Sequence, residues 1–204
     1  MRRFLAIAAV CALASVAGAN LLTNGGFESG SAGWTQYSSW WGSGFNWQYT
    51  YAPAYEGSAA LSLTAAEGSL GVYQVLNVTP GLPVQISWAI KATDNGSNWY
   101  EVLLFDGAKT GVEIDFGTTD DDIMFKWESP DSGNYDGLPQ STWTTGSNMM
   151  TPTLSQVTVA VKAGGSGVAP SGQFDALDVI QIPEPAAVLL GFAGLVAILK
   201  RRRR

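Results

Sequence analysis

The sequence predicts an all-β protein, a jelly-roll β-sandwich flanked by an N-terminal signal helix and a C-terminal hydrophobic helix. Short apolar runs alternate with clusters of Gly, Asn, Ser, Asp and Pro, which is typical of short strands joined by turns. Residues 84–91 alternate cleanly, so that Val84, Ile86, Trp88 and Ile90 share one face of a strand. Helical periodicity is confined to the two ends. Many short strands with glycine-rich turns favour a sandwich.

The N-terminal end has the three parts of a secretory signal peptide. Arg2 and Arg3 give a positive start, residues 4–16 are apolar, and residues 17–19 read Ala-Gly-Ala, a small-residue cleavage site. We therefore expect residues 1–19 to be removed and the exported chain to begin at Asn20. Cys11, the only cysteine, lies within the apolar part, so the exported chain has no thiol and no disulfide.

Residues 20–182 are predicted to form one β-sandwich domain, because no repeat or composition shift divides them. Two longer stretches, 37–57 and 129–153, are rich in polar residues and glycine and are expected to be loops. The predicted strands are 21–23, 26–28, 59–64, 71–78, 84–92, 100–105, 112–116, 123–127, 156–162 and 174–182.

The C-terminal end, residues 183–204, also has three parts. Pro183, Glu184 and Pro185 form a rigid extended break, the 14 residues 186–199 carry no polar side chain, and residues 200–204 are all basic. As a helix the apolar run is roughly 21 Å long at ~1.5 Å per residue. Flanking stems can extend it towards the ~30 Å of a bilayer core, so a transmembrane helix is predicted there. A buried core helix is the alternative, which five consecutive cations disfavour.

This ending resembles the PEP-CTERM sorting signal of Gram-negative bacteria, on the Pro-Glu-Pro motif, the hydrophobic run and the arginine-rich end. The resemblance implies recognition by an exosortase, a membrane transpeptidase. It implies transient anchoring in the inner membrane, removal of the tail near the motif Pro183, Glu184 and Pro185, and delivery to the cell surface or the extracellular matrix. The basic end should stay on the cytoplasmic side.

Composition excludes several classes of function. Residues 20–182 contain four lysines, no arginine and 16 acidic residues, so the domain is strongly acidic and is not expected to bind nucleic acid. The chain contains no histidine. Without histidine and without an exported cysteine, no Ser-His, Cys-His or histidine-metal site can form. Glycoside hydrolysis needs a pair of carboxylates, and among so many acidic residues some pair could always be chosen. The presence of acidic residues therefore does not indicate a hydrolase.

The domain resembles the carbohydrate-binding-module-like (galactose-binding-like) jelly rolls. Residues 20–34, NLLTNGGFESGSAGW, are similar to the opening of that fold, and residues 174–182, FDALDVIQI, to its last strand. Residues 56–63 and 71–92 are similar to its middle strands. The resemblance implies non-catalytic binding of polysaccharide, and neighbouring first and last strands.

A structural calcium ion is also implied by this resemblance. In the family an acidic side chain from each end often holds calcium together with carbonyl oxygens, and the matching residues here are Glu28 and Asp175, with Asp178 as a further candidate. Calcium prefers six to eight oxygen ligands, which such a site can supply. The alternative is that these acids are simply solvated.

Aromatic residues are the other candidate for binding. Sugars present C–H faces that stack on aromatic rings, and tryptophan and tyrosine in loops supply such surfaces. One polar segment contains five such residues, which we predict to contact sugar: Trp40, Trp41, Trp47, Tyr49 and Tyr51. Packing of these rings over the loop is the alternative role.

We therefore expect an exported, non-enzymatic surface or matrix protein that binds extracellular polysaccharide. A structural surface protein without a saccharide site is the second hypothesis, and a glycoside hydrolase is the third.

Overall fold

The computed structural model describes residues 18–50, 53–92, 98–117, 122–129, 142–165, 169 and 171–183. Ten strands lie within them. In chain order they are β1 (Thr35–Ser38), β2 (Asn46–Thr50), β3 (Ala60–Thr64), β4 (Gly68–Asn77), β5 (Val84–Ala92), β6 (Asn98–Asp106), β7 (Ile123–Ser129), β8 (Thr144–Met150), β9 (Gln156–Gly165) and β10 (Ser171–Gln181).

The strands form two five-stranded antiparallel sheets packed face to face. Sheet 1 has the order β1-β4-β9-β6-β7, and sheet 2 has the order β2-β3-β10-β5-β8. The predicted two-sheet sandwich is therefore confirmed. The last strand, β10, is central in sheet 2 and pairs with β3 and β5, which places the end of the domain in the middle of the fold.

The main core lies between the sheets. The side chains predicted on one face of β5, Val84, Ile86, Trp88 and Ile90, are all buried there. They meet the inward residues of β9 and β10, including Val159 and Phe174. The alternating pattern of the sequence thus predicted the buried face of β5 correctly, because successive side chains of a strand point to opposite faces.

A second, smaller apolar cluster covers the outer face of sheet 1. It contains Leu103, Phe105, Ala160 and Tyr37, and it is closed by Ile114 from a π-helical turn, Glu113–Gly117. The predicted strand at 112–116 is therefore wrong. Thr110 and Glu113 form a reciprocal cap, since Glu113 Oε2 accepts from the Thr110 N–H at 2.7 Å and from its hydroxyl at 2.7 Å. This Thr-x-x-Glu cap starts a helical turn, which overrides the alternation of the segment.

Two further predicted strands, 21–23 and 26–28, are bends and turns. Asn24 and Phe27 have positive φ angles of 58° and 55°, which are incompatible with a continuous strand. The Asn24 side chain fixes the turn by accepting from the Ser29 N–H at 2.9 Å and donating to the Gly30 carbonyl at 2.9 Å. A single bridge, Asn20 to Ile180, pairs this end of the domain with β10.

Three strands were missed, and all three lie at sheet edges: β1, β2 and β8. They fall within stretches that the sequence analysis treated wholly or partly as loops. Edge strands have one paired side and carry many polar residues, so their pattern of burial does not repeat cleanly. Pairing with β4, β3 and β5 makes them strands.

Both predicted terminal segments fall largely outside the described residues, which exclude 1–17 and 184–204. The predicted signal helix and the predicted membrane helix at 186–199 lie there. Among the residues that the structure does describe, no helix is long and apolar enough to cross a membrane.

Candidate functional site

Glu28 and Asp175, the predicted calcium ligands, converge on one loop, residues 55–59. Glu28 Oε1 accepts from the backbone N–H groups of Ser58 and Ala59 at 2.7 and 2.9 Å, and Oε2 accepts from the Ser58 hydroxyl at 2.6 Å. Asp175 Oδ2 accepts from the N–H groups of Tyr55 and Glu56 at 2.7 and 3.1 Å. The opening turn and the last strand are thus both tied to the 55–59 loop.

Hydrogen bonding and burial shift the pKa values of these two carboxyl groups in opposite directions. The bonds from Ser58 and Ala59 lower the pKa of Glu28. Burial raises the pKa of Asp175, although the N–H groups of Glu56, Ala176 and Tyr55 act in the opposite direction.

The predicted calcium site does not fit this arrangement of donors. Each carboxylate already accepts three hydrogen bonds, out of roughly four lone-pair sites. Within the described part of the chain, no three acidic side chains come together in a way that could hold a metal ion. Hydrogen-bond donors therefore occupy most of the acceptor positions that a cation would need, and structural calcium stays a prediction.

Asp175 also holds the 55–59 loop against the outer face of sheet 2. It follows Gln173 by two residues, so both side chains point away from the core that Phe174 enters. Asp175 is fully buried, because the 55–59 loop lies over it. By holding the N–H groups of Tyr55 and Glu56, Asp175 positions the Tyr55 side chain above the outer face of sheet 2.

A row of polar side chains crosses this outer face. The registers pair Gln48 with Ser62, Ser62 with Gln173, and Gln173 with Lys91, so the row runs from β2 through β3 and β10 to β5. Gln173 Oε1 is buried and has no hydrogen-bond partner among the described residues. Burial lowers the pKa of Lys91. A buried acceptor without a donor is costly, and a ligand hydroxyl could supply that donor.

Two aromatic rings lie at the Lys91 end of the row. The Trp143 ring lies beneath Lys91 Nζ, which is 5.0 Å from the ring centroid. Tyr55 meets the same ring edge-on, with centroids 5.8 Å apart. Tyr55 is 48% exposed and Trp143 is half-buried, so the pair presents aromatic surface beside the polar row.

A cavity of about 350 Å³ is lined in part by Tyr55, one member of the aromatic pair. Its walls include Tyr55, Glu56, Ser87, Thr145 and Asp178. Asp178 Oδ1 is buried without a hydrogen-bond partner in the described structure, and burial raises the pKa of this carboxyl. The cavity therefore offers polar walls with an unused acceptor next to an aromatic surface, and such groups can bind the hydroxyls and C–H faces of a hydroxylated ligand.

The five aromatic residues predicted as sugar contacts have different environments. Trp40 is 83% exposed, whereas Trp41 is half-buried. Trp47 and Tyr49 face inward from β2 and pack against the main core. The Trp47 indole N–H donates to the Gly71 carbonyl of sheet 1 at 2.9 Å, which is the packing role that the sequence left open. Tyr51 lies outside the described residues.

The predicted sorting motif is only partly described. Pro183 lies two residues after the end of β10, and Glu184 and Pro185 lie beyond the described residues. Before it, the Ile182 N–H donates to the Pro83 carbonyl at 2.8 Å, so the folded domain extends to the beginning of the motif.

Comparison with solved structures identifies the architecture. A family 16 carbohydrate-binding module superposes with a TM-score of 0.53 at 18% identity, over 79% of this chain and 99% of that one. The CBM22-1 xylan-binding domain of Paenibacillus barcinonensis gives a TM-score of 0.51 at 17% identity, over 82% and 97%. The fold is that of a carbohydrate-binding module.

A different kind of protein shares the fold. An enzymatically active domain of a tailspike protein from bacteriophage CBA120 gives a TM-score of 0.55 at 12% identity, over 80% of this chain and 21% of that one. No protein-family model matches the chain, and no curated protein matches it. At these identities the structural likeness concerns the fold.

Sequence reasoning missed the row on the outer face of sheet 2. Its residues lie on β2, β3, β10 and β5 and come together only through strand pairing. Lys91 could have indicated the row, because it lies near the end of the alternating strand β5, on the face opposite Ile90. Trp143 was a weaker indication, as a tryptophan in a polar stretch.

Proposed function

We propose that this chain binds polysaccharide without catalysis, on the outer face of sheet 2. The observation that carries the proposal is the polar row of Gln48, Ser62, Gln173 and Lys91, which ends at the aromatic pair Tyr55 and Trp143. The carbohydrate-binding-module fold supports it.

The chemistry of the surface suits a neutral polymer of hydroxylated rings. Aromatic faces take the C–H side of a sugar, and amide, hydroxyl and ammonium groups bond its hydroxyls. The strong excess of acids over bases in residues 20–182 repels polyanions and does not impede a neutral chain. A polymer lying across several strands can contact the accessible part of this surface, which consists of Gln48, Gln173, Tyr55 and Trp143.

We propose that this function is exercised outside the cell. On our proposal the signal peptide directs export, and the PEP-CTERM-like tail holds the protein in the inner membrane until an exosortase removes the tail. The domain then reaches the cell surface or the extracellular matrix, where its polysaccharide is found. Labelling the two ends in cells and following both labels tests this route; a tail that stays attached at the surface contradicts it.

Binding is tested by retention on immobilised neutral polysaccharides and by a glycan array. We expect wild-type protein to be retained and Trp143→Ala to lose at least about tenfold in affinity, which corresponds to about 1.4 kcal/mol. Trp40→Ala is the matched control, since Trp40 is an exposed tryptophan from the predicted aromatic segment.

Each outcome separates the candidate sites. Loss of binding in Trp40→Ala with full binding in Trp143→Ala would move the site to the aromatic segment. No retention of the wild-type protein on any polymer would favour the second hypothesis, a structural surface protein.

A further inference from the structure

Three buried charged side chains meet on the outer face of sheet 1, away from the proposed polysaccharide site. Lys162 Nζ lies 3.3 Å from Asp115 Oδ1 and 3.7 Å from Glu101 Oε2. The side chains of Lys162, Asp115 and Glu101 are only 10%, 2% and 9% exposed. Lys162 and Glu101 are direct cross-strand neighbours on β9 and β6, and Asp115 comes from the turn Glu113–Gly117.

Several apolar side chains pack against this cluster. Leu103, Phe105 and Ile114 line the same pocket as the three charged side chains. Asp115 Oδ2 is buried and has no hydrogen-bond partner among the described residues, and the same holds for the Tyr37 hydroxyl. Burial raises the pKa of Tyr37, and the charges of Glu101 and Asp115 add to that effect. An ion pair in such a place must compensate for a large desolvation cost, so a neutral product is favoured over separate charges.

We propose that Lys162 and Asp115 form an intramolecular amide bond, an isopeptide cross-link, with Glu101 as the proton carrier. The Lys162 ammonium first gives a proton to the Asp115 carboxylate, which leaves a neutral amine and a neutral Asp115 carboxyl group, while Glu101 stays ionised. The amine nitrogen attacks Asp115 Cγ and forms the C–N bond. Glu101 takes a second proton from that nitrogen and delivers it to the leaving oxygen, and the C–O bond breaks. One ammonium and one carboxylate become one amide and one water molecule, with no change in net charge.

The geometry suits this step. The amine is already next to the carboxyl group, and reacting groups held roughly 3–3.5 Å apart can gain several orders of magnitude in rate. Ser69 Oγ donates to Asp115 Oδ1 at 2.6 Å, so it can stabilise negative charge on this oxygen during the attack. Oδ2 is the oxygen free to leave, and the adjoining cavity of about 240 Å³ has room for the water.

Lys126 lies at the outer side of the cluster. Its Nζ is 3.4 Å from Glu101 Oε1 and 2.7 Å from Glu128 Oε2, and its side chain is 38% exposed. Lys126 therefore holds Glu101 in place without approaching Asp115 in any contact of the described structure. Of the two lysines, Lys162 is the buried one that contacts both carboxylates, which selects it as the nucleophile.

The cross-link would fasten the turn over the outer face of sheet 1 to the central strand β9. Residues 20–182 have no cysteine, so this domain cannot use a disulfide for that purpose. An amide bond would also link the turn covalently to β9, and its stability does not depend on redox conditions.

Peptide mapping of the folded full chain tests the proposal directly. In residues 20–182 trypsin can cut only after Lys91, Lys109, Lys126 and Lys162. We expect the peptide 110–126 to appear joined to the peptide that contains Lys162, with a combined mass lower by one water and no cleavage after Lys162. Separate peptides with full masses from the folded wild-type protein would overturn the proposal.

Variants separate the roles of the three residues. Lys162→Arg keeps the positive charge and cannot form the amide, so its intact mass should lack the loss of water. Glu101→Gln should leave the peptides separate or slow their joining at least tenfold, whereas the matched control Glu128→Gln should cross-link as the wild type does. Circular dichroism confirms that each variant is folded. Equal joining in Glu101→Gln and wild type would remove Glu101 from the mechanism.

Discussion

Lys91 Nζ lies 5.0 Å from the centroid of the Trp143 ring, at the end of the polar row that crosses sheet 2. A cation over an aromatic face contributes about 0.5–2 kcal/mol, depending on how far it is desolvated. Lys91 is only 5% exposed, so the contact is largely shielded from water. The contact holds the Trp143 ring in one orientation, beside Tyr55 and the cavity, which reduces the entropy lost when a ligand stacks on it.

Lys91→Met tests this contact. The variant keeps a long apolar stem but loses the cation and its donors, so we expect polysaccharide affinity to fall about five- to tenfold, equivalent to about 1 kcal/mol. The measurement is isothermal titration with the polymer that the wild-type protein retains. Lys109→Met is the control, because Lys109 pairs with Asp122 elsewhere and its loss should leave binding unchanged.

Trp47→Phe tests whether Trp47 packs or binds. The indole N–H donates to the Gly71 carbonyl across the two sheets, and its removal should lower the free energy of unfolding by about 1–2 kcal/mol. Urea unfolding measures the change, and Trp40→Phe should alter stability by less than about 0.5 kcal/mol. If Trp47→Phe were as stable as wild type and bound polysaccharide less well, Trp47 would be a sugar contact.

Asp175→Asn should affect both stability and binding. The variant turns one acceptor oxygen into an N–H₂ group that faces backbone N–H donors, so we expect a loss of about 1–3 kcal/mol of unfolding free energy. Release of the 55–59 loop should also displace Tyr55 and weaken binding to polysaccharide. A variant that binds normally at temperatures where it is folded would separate Tyr55 from the binding site.

Chelation distinguishes hydrogen bonding from calcium binding at the same carboxylates. Since backbone donors occupy them, we expect the melting temperature to be the same with and without EDTA, while Glu28→Gln lowers it in both conditions. A melting temperature that falls on chelation in the wild type, and not in Glu28→Gln, would establish the predicted calcium ion instead.

Asp178→Asn should stabilise the protein at neutral pH. Burial raises the pKa of Asp178 above its ordinary value of 3.8 in spite of the Val179 N–H. Ionised Asp178 therefore destabilises the folded state above its raised pKa, and the penalty disappears as the pH falls below 3.8. We expect a gain of less than about 1 kcal/mol at pH 7, since the group is partly solvated, and no difference in strong acid.

Asp106→Asn is the opposite case and serves as its control. Burial of Asp106 is outweighed by hydrogen bonds from Thr153 and Leu154, so its pKa is lowered. Its ionised form stabilises the folded state, and that contribution is lost as the pH falls through the lowered pKa. Asp106→Asn should therefore lose stability at neutral pH, measured by thermal unfolding across the same pH series.

The sequence was a good guide to the central strands. Strands β3 to β7, β9 and β10 were predicted, because their apolar residues alternate or form short runs between turn residues. It was a poor guide to the edge strands β1, β2 and β8 and to 112–116. At 112–116 a local Thr-x-x-Glu cap competes with alternation, and the cap determines the conformation.

The residues of the sequence by themselves determined the all-β sandwich, the buried face of β5, the acidic composition of residues 20–182 and the exclusion of histidine chemistry. These depend on periodicity and composition, which are local properties of the chain. Only the tertiary structure decided that Glu28 and Asp175 bind the N–H groups of one loop, that Trp47 turns inward, and that Lys162 meets Asp115 and Glu101. Each of these contacts depends on strand register and on loops that cross the sheets. The contacting residues are far apart in the sequence, and no local pattern indicates that they meet.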